Sequence, residues 1–193
     1  MILKRLKIWV MTILGAPLIL LAPLIKRSVK KLEEQIENDP DSVPEHIREY
    51  HKFTKMDDAA YEELKNGNYD TARMISLKLL HVARNYEDDW NYSNAIHHAN
   101  TILGLVEIKE GDVEKATDYL QKSGNVAGSP QLNSFGPSTC LAMELLLKDK
   151  NAEVVAYLEN VKAFWEYSYK ELPQWIEDIK SNEIPENWQR LNY

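Results

Sequence analysis

The chain has 193 residues, 44% hydrophobic and 27% charged, which suits one globular domain with a short accessory segment. Its single cysteine excludes an intramolecular disulfide, and its seven glycines and eight prolines exclude collagen-like or low-complexity structure. The net charge of −7 is uneven: residues 1–31 carry seven basic and no acidic residues, so the rest has 16 basic against 30 acidic residues. So acidic a body would repel phosphate, and we expect no nucleic acid partner.

An apolar segment near the N-terminus predicts a membrane anchor. Residues 8–25 contain no charge, and an 18-residue helix measures about 27 Å, close to the hydrocarbon thickness of a bilayer. Basic residues flank the segment on both sides. A cleaved signal peptide and a buried helix are the alternatives, although the run is long for a signal and no A-x-A-like site precedes Lys26. We expect a single-pass membrane protein anchored by residues 1–31, on an undetermined side because the flanking charges balance.

The residues after the anchor predict a juxtamembrane helix end and a linker, together covering 32–44. Prolines 40 and 44 interrupt the helical spacing of the apolar residues there. From 45 to 193 apolar residues recur at helical spacing, and no alternation of period two predicts a strand. The predicted fold class is therefore all-α. The predicted helices cover residues 45–52, 54–66, 69–86, 88–110, 112–123, 139–149, 151–168 and 172–181.

Several helix starts carry residues that favour N-caps. Thr54 with Asp57 approximates a capping box, and Asp112 and Asn151 are suitable N-caps for the helices that follow them. Pro173 suits the first turn of the last helix.

An internal repeat is the most specific signal in the chain. Gly67 is followed five residues later by Ala72, and Gly111 is followed by Ala116 at the same distance, 44 residues further on. In each copy a glycine can turn the chain after one helix, and a small alanine lets the returning helix approach closely. The pattern predicts two equivalent helical hairpins.

A third, degenerate copy places Lys150 in the glycine position and Val155 in the alanine position. The arrangement resembles the tetratricopeptide repeat family, because Leu103-Gly104 matches that motif's Leu-Gly pair and Ala60 stands where its small residue belongs. The 44-residue period exceeds the family's 34. The resemblance implies antiparallel hairpins stacked as a short α-solenoid over residues 45–193.

The stretch GSPQLNSFGPSTCLAMELL, followed by Phe164-Trp165, is similar to a set of bacterial helical-repeat proteins. That resemblance implies no activity.

The tetratricopeptide resemblance also implies that the first helix of each pair contributes contacts to a partner. The corresponding residues here are Tyr61, Lys65, His98, Thr101 and Lys109. The alternative is that Tyr61 lies partly in the core and that the lysines are solvated helix ends.

A polar trio lies beside the apolar stripe of one predicted helix. Asn94, His98 and Thr101 share a face, and a polar group on a packed helix needs hydrogen-bond partners. A structural hydrogen bond, a ligand or partner contact, and catalysis are three interpretations of His98. No HExxH or comparable ligand spacing occurs, so we expect no metal site.

Residues 124–139 form the longest stretch without helical periodicity and predict a loop, either functional or merely connecting. Asn133, Ser134 and Phe135 within it are further candidate partner contacts. Cys140 follows in a first helical turn, where we expect a buried small residue rather than a nucleophile.

The sequence contains no GxxxxGK[ST], GxGxxG, GxSxG, HExxH or CxxC motif, so we expect neither an enzyme nor a cofactor. The functional hypothesis is a membrane-anchored scaffold that binds a protein or peptide at the bilayer surface. The alternative is a small-ligand binder or enzyme that uses His98 and the 124–139 loop. Self-association through C-terminal aromatic residues, among them Trp165 and Trp175, is a third hypothesis, and the oligomeric state stays open.

Overall fold

The computed structural model describes residues 18–165, 171–186 and 188. Most of these residues are helical and none belongs to a β-strand, so the predicted all-α class is confirmed. Internal contacts divide the chain into two compact units, 1–51 and 52–193.

The first unit contains helix α1 (Leu18–Asn38), a 3-10 turn (Pro40–Ser42) and α2 (Glu45–Phe53), whose last two residues belong to the second unit. Arg48 fixes the turn because its guanidinium donates to the carbonyl of Pro40 across 2.8 Å.

The predicted membrane span over residues 8–25 lies largely outside the described residues, because residues 8–17 are not among them. Within the described part, no helix combines the length and the apolar character needed to cross a bilayer. The anchor therefore stays a prediction.

The second unit is built from helical hairpins. Its helices are α3 Met56–Lys65, α4 Tyr69–Ala83, α5 Tyr92–Glu110, α6 Val113–Gly124, α7 Pro130–Phe135, α8 Cys140–Leu146, α9 Asn151–Val161 and α10 Leu172–Lys180. The first hairpin pairs α3 with α4, the second pairs α5 with α6, and the third pairs α8 with α9. The short α7 lies between the second and third hairpins, and α10 follows the last.

The two repeat landmarks occupy equivalent turns. Gly67 and Gly111 both adopt left-handed backbone conformations, with φ of 79° and 89°, and each N–H bonds to the carbonyl three residues earlier. The N–H of the residue after each glycine bonds to the carbonyl five residues earlier, which closes the same helix-ending turn. Ala72 and Ala116 are both fully buried, at 0% exposure, so the small side chains allow close packing of the second helices. The prediction of two equivalent hairpins is confirmed.

The third turn is equivalent as well, but its predicted alignment is wrong by one residue. Asp149, with φ of 61°, occupies the glycine position. Its N–H bonds to the carbonyl of Leu146, and the N–H of the next residue bonds to the carbonyl of Leu145. Val154, five residues further on, is fully buried in the alanine position. Aspartate tolerates the left-handed region better than most residues, so this turn needs no glycine.

The first helices pack in series, α3 against α5 and α5 against α8, while α4 packs on α5, α6 on α8, and α9 on both α6 and α8. Gly104 allows the approach of α5 and α8: a Cβ atom there would lie 2.2 Å from a methyl group of Leu141. The second unit is thus a stack of three hairpins, as a helical-repeat fold requires.

A cluster of charges joins the first two hairpins. Glu107 on α5 is only 2% exposed, and its carboxylate pairs with Arg73 on α4 and, across 2.8 Å, with Lys115 on α6. Arg73 also pairs with Glu110. Because Glu107 has two cationic partners, its burial does not leave a charge unpaired.

The C-terminal aromatic residues close the end of the stack. Trp165 lies 6.0 Å from Trp175, ring centre to ring centre, and Trp175 lies 5.1 Å from Trp188; all three are buried in the core. This packing agrees with an apolar cap on the last hairpin. Three further aromatic residues of the C-terminal region, Tyr167, Tyr169 and Tyr193, lie outside the described residues.

Several local predictions differ from the structure. Asp112 caps α6 as predicted, accepting a hydrogen bond from the N–H of Lys115. The predicted caps at Thr54 and Asn151 are wrong, because α3 begins at Met56 after Lys55 and Asn151 is already the first residue of α9. The helices predicted over 69–86, 88–110, 139–149 and 151–168 are shorter, with bounds 69–83, 92–110, 140–146 and 151–161.

Candidate functional site

A cavity of about 330 Å³ lies between the first helices of the first two hairpins and the segment that carries α7. Its size falls at the lower end of the range of about 300–1,000 Å³ that is common for ligand pockets. The residues that line it are Asp57, Asp58, Tyr61, His98, Thr101, Ile102, Gln131, Leu132, Phe135, Gly136 and Ser138.

One wall of the cavity comes from the segment predicted as an irregular loop. Residues 130–135 form α7 instead, because Ser129 caps the helix by accepting the N–H of Leu132 at 3.0 Å and Pro130 occupies its first turn. A helix of six residues is too short to give a periodic signal, which explains the error. α7 presents Leu132 and Phe135 to the cavity.

Asn94 holds α7 against α5. Its side-chain oxygen accepts a hydrogen bond from the hydroxyl of Ser129, and its amide nitrogen donates to the side-chain oxygen of Gln131 at 3.1 Å. The first member of the predicted polar trio therefore positions the cavity wall.

His97 supports the opposite end of the same segment. The backbone N–H of Ser138 donates to its Nε2 at 2.9 Å, so the ring proton lies on Nδ1 and donates to the carbonyl of Ser123, also at 2.9 Å. Burial and the neighbouring His98 lower the pKa of His97 to about 3, against the opposing effect of the Ser123 hydrogen bond. His97 is therefore a neutral, fully buried brace between α6 and the chain entering α8. His97 was not among the residues that the sequence predicted as partner contacts.

His98 links α5 to α3 at the cavity mouth. Its Nδ1 lies 2.8 Å from Oδ2 of Asp57, and both side chains are partly exposed. Burial raises the pKa of Asp57, but hydrogen bonding and charge from His98, with the N–H of Asp58, outweigh it, and the net pKa is lowered. Asp57 is therefore ionised at neutral pH. No spacing motif in the sequence indicated its contact with His98.

Tyr61 lines the cavity one helical turn after Asp57. Burial raises the pKa of its hydroxyl, as does a hydrogen bond with the thiol of Cys140. Cys140 is the first residue of α8 and is partly exposed, so it is not the fully buried residue that we expected.

The other candidate residues take different positions. Thr101 lines the cavity but is largely buried, with its hydroxyl donating to the carbonyl of His97. Phe135 lines the cavity with 62% of its surface exposed. Lys65 and Lys109 are exposed and outside the lining, and Lys65 pairs with Glu62 at 2.6 Å.

The two loop candidates also lie outside the lining. Asn133 accepts the N–H of Ser129 with its side-chain oxygen at 3.1 Å, and Ser134 is exposed. The cavity therefore brings together four of the eight candidates: Tyr61, His98, Thr101 and Phe135.

The polar side chains of Asp57, His98 and Thr101 in the cavity already have hydrogen-bond partners within the protein. The hydroxyl of Thr101 donates to the backbone carbonyl of His97 and not to His98, so the His98–Asp57 pair does not activate it as a nucleophile. Within the described residues, no group of three His, Cys, Asp or Glu side chains is placed to hold a metal ion.

Comparisons of this chain with protein-family models, with curated proteins and with solved structures find no match.

Proposed function

We propose that the chain is a tetratricopeptide-like scaffold that binds a peptide segment of a protein partner, held at a bilayer surface by residues 8–25. The observation that supports this most is the cavity between α3, α5 and α7, which collects Tyr61, His98, Thr101 and Phe135. Stacked hairpins present a continuous face from successive first helices, and such a face accommodates an extended or helical peptide.

Phe135 favours a macromolecular partner. A phenylalanine with 62% of its surface exposed at the mouth of a cavity resembles the aromatic anchors that dominate protein interfaces. The cavity floor is apolar, while the partly exposed His98 and the exposed Gln131 carry polar groups that can pair with a peptide backbone.

A small-ligand binder or enzyme is the second candidate, because the cavity does connect His98 with the 124–139 segment. Gln131 and Phe135 are the residues of this segment that face the cavity shared with His98, whereas Asn133 and Ser134 lie outside the lining. The polar wall expected for a ligand-enclosing loop is therefore largely replaced by apolar side chains, which favours the peptide.

Photocross-linking tests the peptide proposal. p-Benzoylphenylalanine would replace either Phe135 or Met74, two residues with nearly equal exposure of 62% and 63%, in the full chain inside cells. Met74 lies on α4, outside the cavity lining, and is therefore the matched control. We expect a discrete protein adduct at position 135 alone, and its loss when Thr101→Met fills the cavity. Equal adducts at both positions, or none at 135, would contradict the proposal.

The anchor has its own test. The uncharged run at 8–25 and the basic residues that follow it support retention in the membrane fraction. We expect the full chain to resist alkaline carbonate extraction and a variant lacking residues 1–31 to be released. Release of the full chain by carbonate would contradict a spanning anchor.

A further inference from the structure

We infer that the cavity selects a peptide in which a large apolar side chain stands next to a lysine or arginine. This inference rests on the proposed peptide binding and adds the chemistry of the bound residues.

The apolar part of the site is its floor. Ile102 and Leu132 are almost completely buried and line the cavity from α5 and α7, and Phe135 extends the apolar surface to the rim. A volume of about 330 Å³ exceeds what a few ordered waters fill, and an apolar floor offers water few hydrogen bonds. A large aliphatic or aromatic side chain would gain free energy by displacing that water.

The charged part of the site is carried by α3. Asp57 and Asp58 line the cavity in the first turn of this helix, and none of the described lining residues is lysine or arginine. Asp57 is ionised. Its contact with His98 at the mouth uses the carboxylate oxygen Oδ2. The rim therefore has two acidic side chains against a single imidazole, an excess of negative charge that complements a cation.

The aromatic ring of Tyr61 adds a second attraction for a cation. It lies one helical turn after Asp57 on the same face of α3, and both residues line the cavity. A cation can therefore approach a carboxylate and an aromatic face together. Lys65, which lies 5.6 Å from the Tyr61 ring centre, is paired with Glu62 and does not line the cavity.

Selection from a phage-displayed random dodecapeptide library tests the inference on the immobilised full chain. Asp58 is exposed, so Asp58→Lys reverses one charge at the rim with little effect on packing. Asp118→Lys, at an exposed site on α6 outside the lining, is the matched control for non-specific attraction of basic peptides to an acidic protein.

A second pair of variants reports on the cavity itself. Thr101→Met places a flexible apolar chain in the cavity, and Thr117→Met on α6 is its counterpart. Both threonines are largely buried and donate to the carbonyl four residues earlier, at 2.9 and 3.0 Å. Melting temperatures of the four variants identify any that fail to fold.

We expect enriched peptides with an aromatic or large aliphatic residue beside Lys or Arg, binding at least tenfold more weakly to Asp58→Lys and to Thr101→Met. The two control variants should bind like the parent. Enriched peptides that lose affinity for Thr101→Met but carry no cation would overturn this inference and leave the peptide-binding proposal intact. If no enriched peptide loses affinity for Thr101→Met, both proposals fail. Binding of dodecylamine without binding of any peptide would identify a small-ligand site instead.

Discussion

The backbone N–H of Ser138 donates to Nε2 of His97 across 2.9 Å, and this hydrogen bond fixes the imidazole as a neutral group inside the second unit. The same ring donates to the carbonyl of Ser123, so one side chain joins the end of α6 to the segment that enters α8. Protonation of Nε2 would remove the acceptor for the N–H of Ser138, so the integrity of the cavity wall depends on the protonation state of His97.

Acid should therefore weaken the fold through His97. The unfolded chain takes up a proton near the ordinary pKa of about 6.5, whereas the folded chain does so only at about 3. Between these values the unfolded state binds more protons, so the free energy of unfolding falls as the pH drops, by up to about 1.4 kcal/mol per pH unit. Above pH 7 this effect is absent.

The substitution His97→Gln isolates that effect. Glutamine retains one donor and one acceptor, so we expect a loss of about 1–3 kcal/mol at pH 7.5 and a flatter pH dependence between pH 4 and 6.5. Urea unfolding across this range measures both quantities. A variant with the same slope as the parent would contradict a neutral, buried His97.

The close approach of α5 and α8 predicts an unusual response to alanine. Gly104→Ala should favour the helix by about 1 kcal/mol, but its Cβ would lie 2.2 Å from a methyl group of the buried Leu141. We expect overpacking to dominate, with a net loss of about 1–3 kcal/mol. In the double variant with Leu141→Ala, the loss should be smaller than the sum of the two single losses. Additive losses in chemical denaturation would show that the two residues do not compete for space.

The equivalent turns predict substitutions of opposite sign. Gly111→Ala should cost about 1 kcal/mol, purely through the left-handed backbone, because no neighbouring atom lies within 4 Å of the new Cβ. Asp149→Gly should stabilise by about 0.5 kcal/mol, because it relieves the same conformation in the third turn. Thermal unfolding monitored by circular dichroism would reveal both shifts. A loss of stability for Asp149→Gly would refute the equivalence of the turns.

Glu107 should contribute stability that acid removes. Burial raises the pKa of its carboxyl, but hydrogen bonds from Lys115 and Arg73 lower it below the ordinary value. Its contribution to stability is therefore complete above the ordinary pKa of about 4.5, and it is lost as the pH falls through the lower pKa of the folded state. Glu107→Gln should cost about 1.5–3 kcal/mol at pH 7, the range for hydrogen bonds between charged groups. Glu114→Gln, at an exposed ion pair on α6, should change the free energy of unfolding by less than about 0.5 kcal/mol.

The sequence indicates the hairpins because their turns depend on local chemistry. Gly67 and Gly111 are needed where φ is positive, and Ala72 and Ala116 are needed where helices approach closely, so the constraint appears in the residue type. The third turn is harder to align because aspartate tolerates the same conformation and conceals the landmark.

The cavity could be predicted only in part. Tyr61 and His98 were identifiable from their positions on the first helices, but their surroundings depend on residues distant in sequence. Asp57 reaches His98 across 41 positions, and Ser129 reaches Asn94 across 35. Neither pairing leaves a local pattern, because the first forms only when α3 packs against α5 and the second only when the segment that carries α7 folds against α5.

Hydrogen–deuterium exchange of the full chain, with and without an enriched library peptide, tests most directly whether the first-helix face binds the partner. We predict slower exchange on peptide addition in residues 57–61, 98–102 and 131–138, the three segments that contain the lining residues of the cavity. Exchange in 74–81 and 114–122, on the second helices, should not change. Protection confined to the second helices, or spread equally over both faces, would contradict the account.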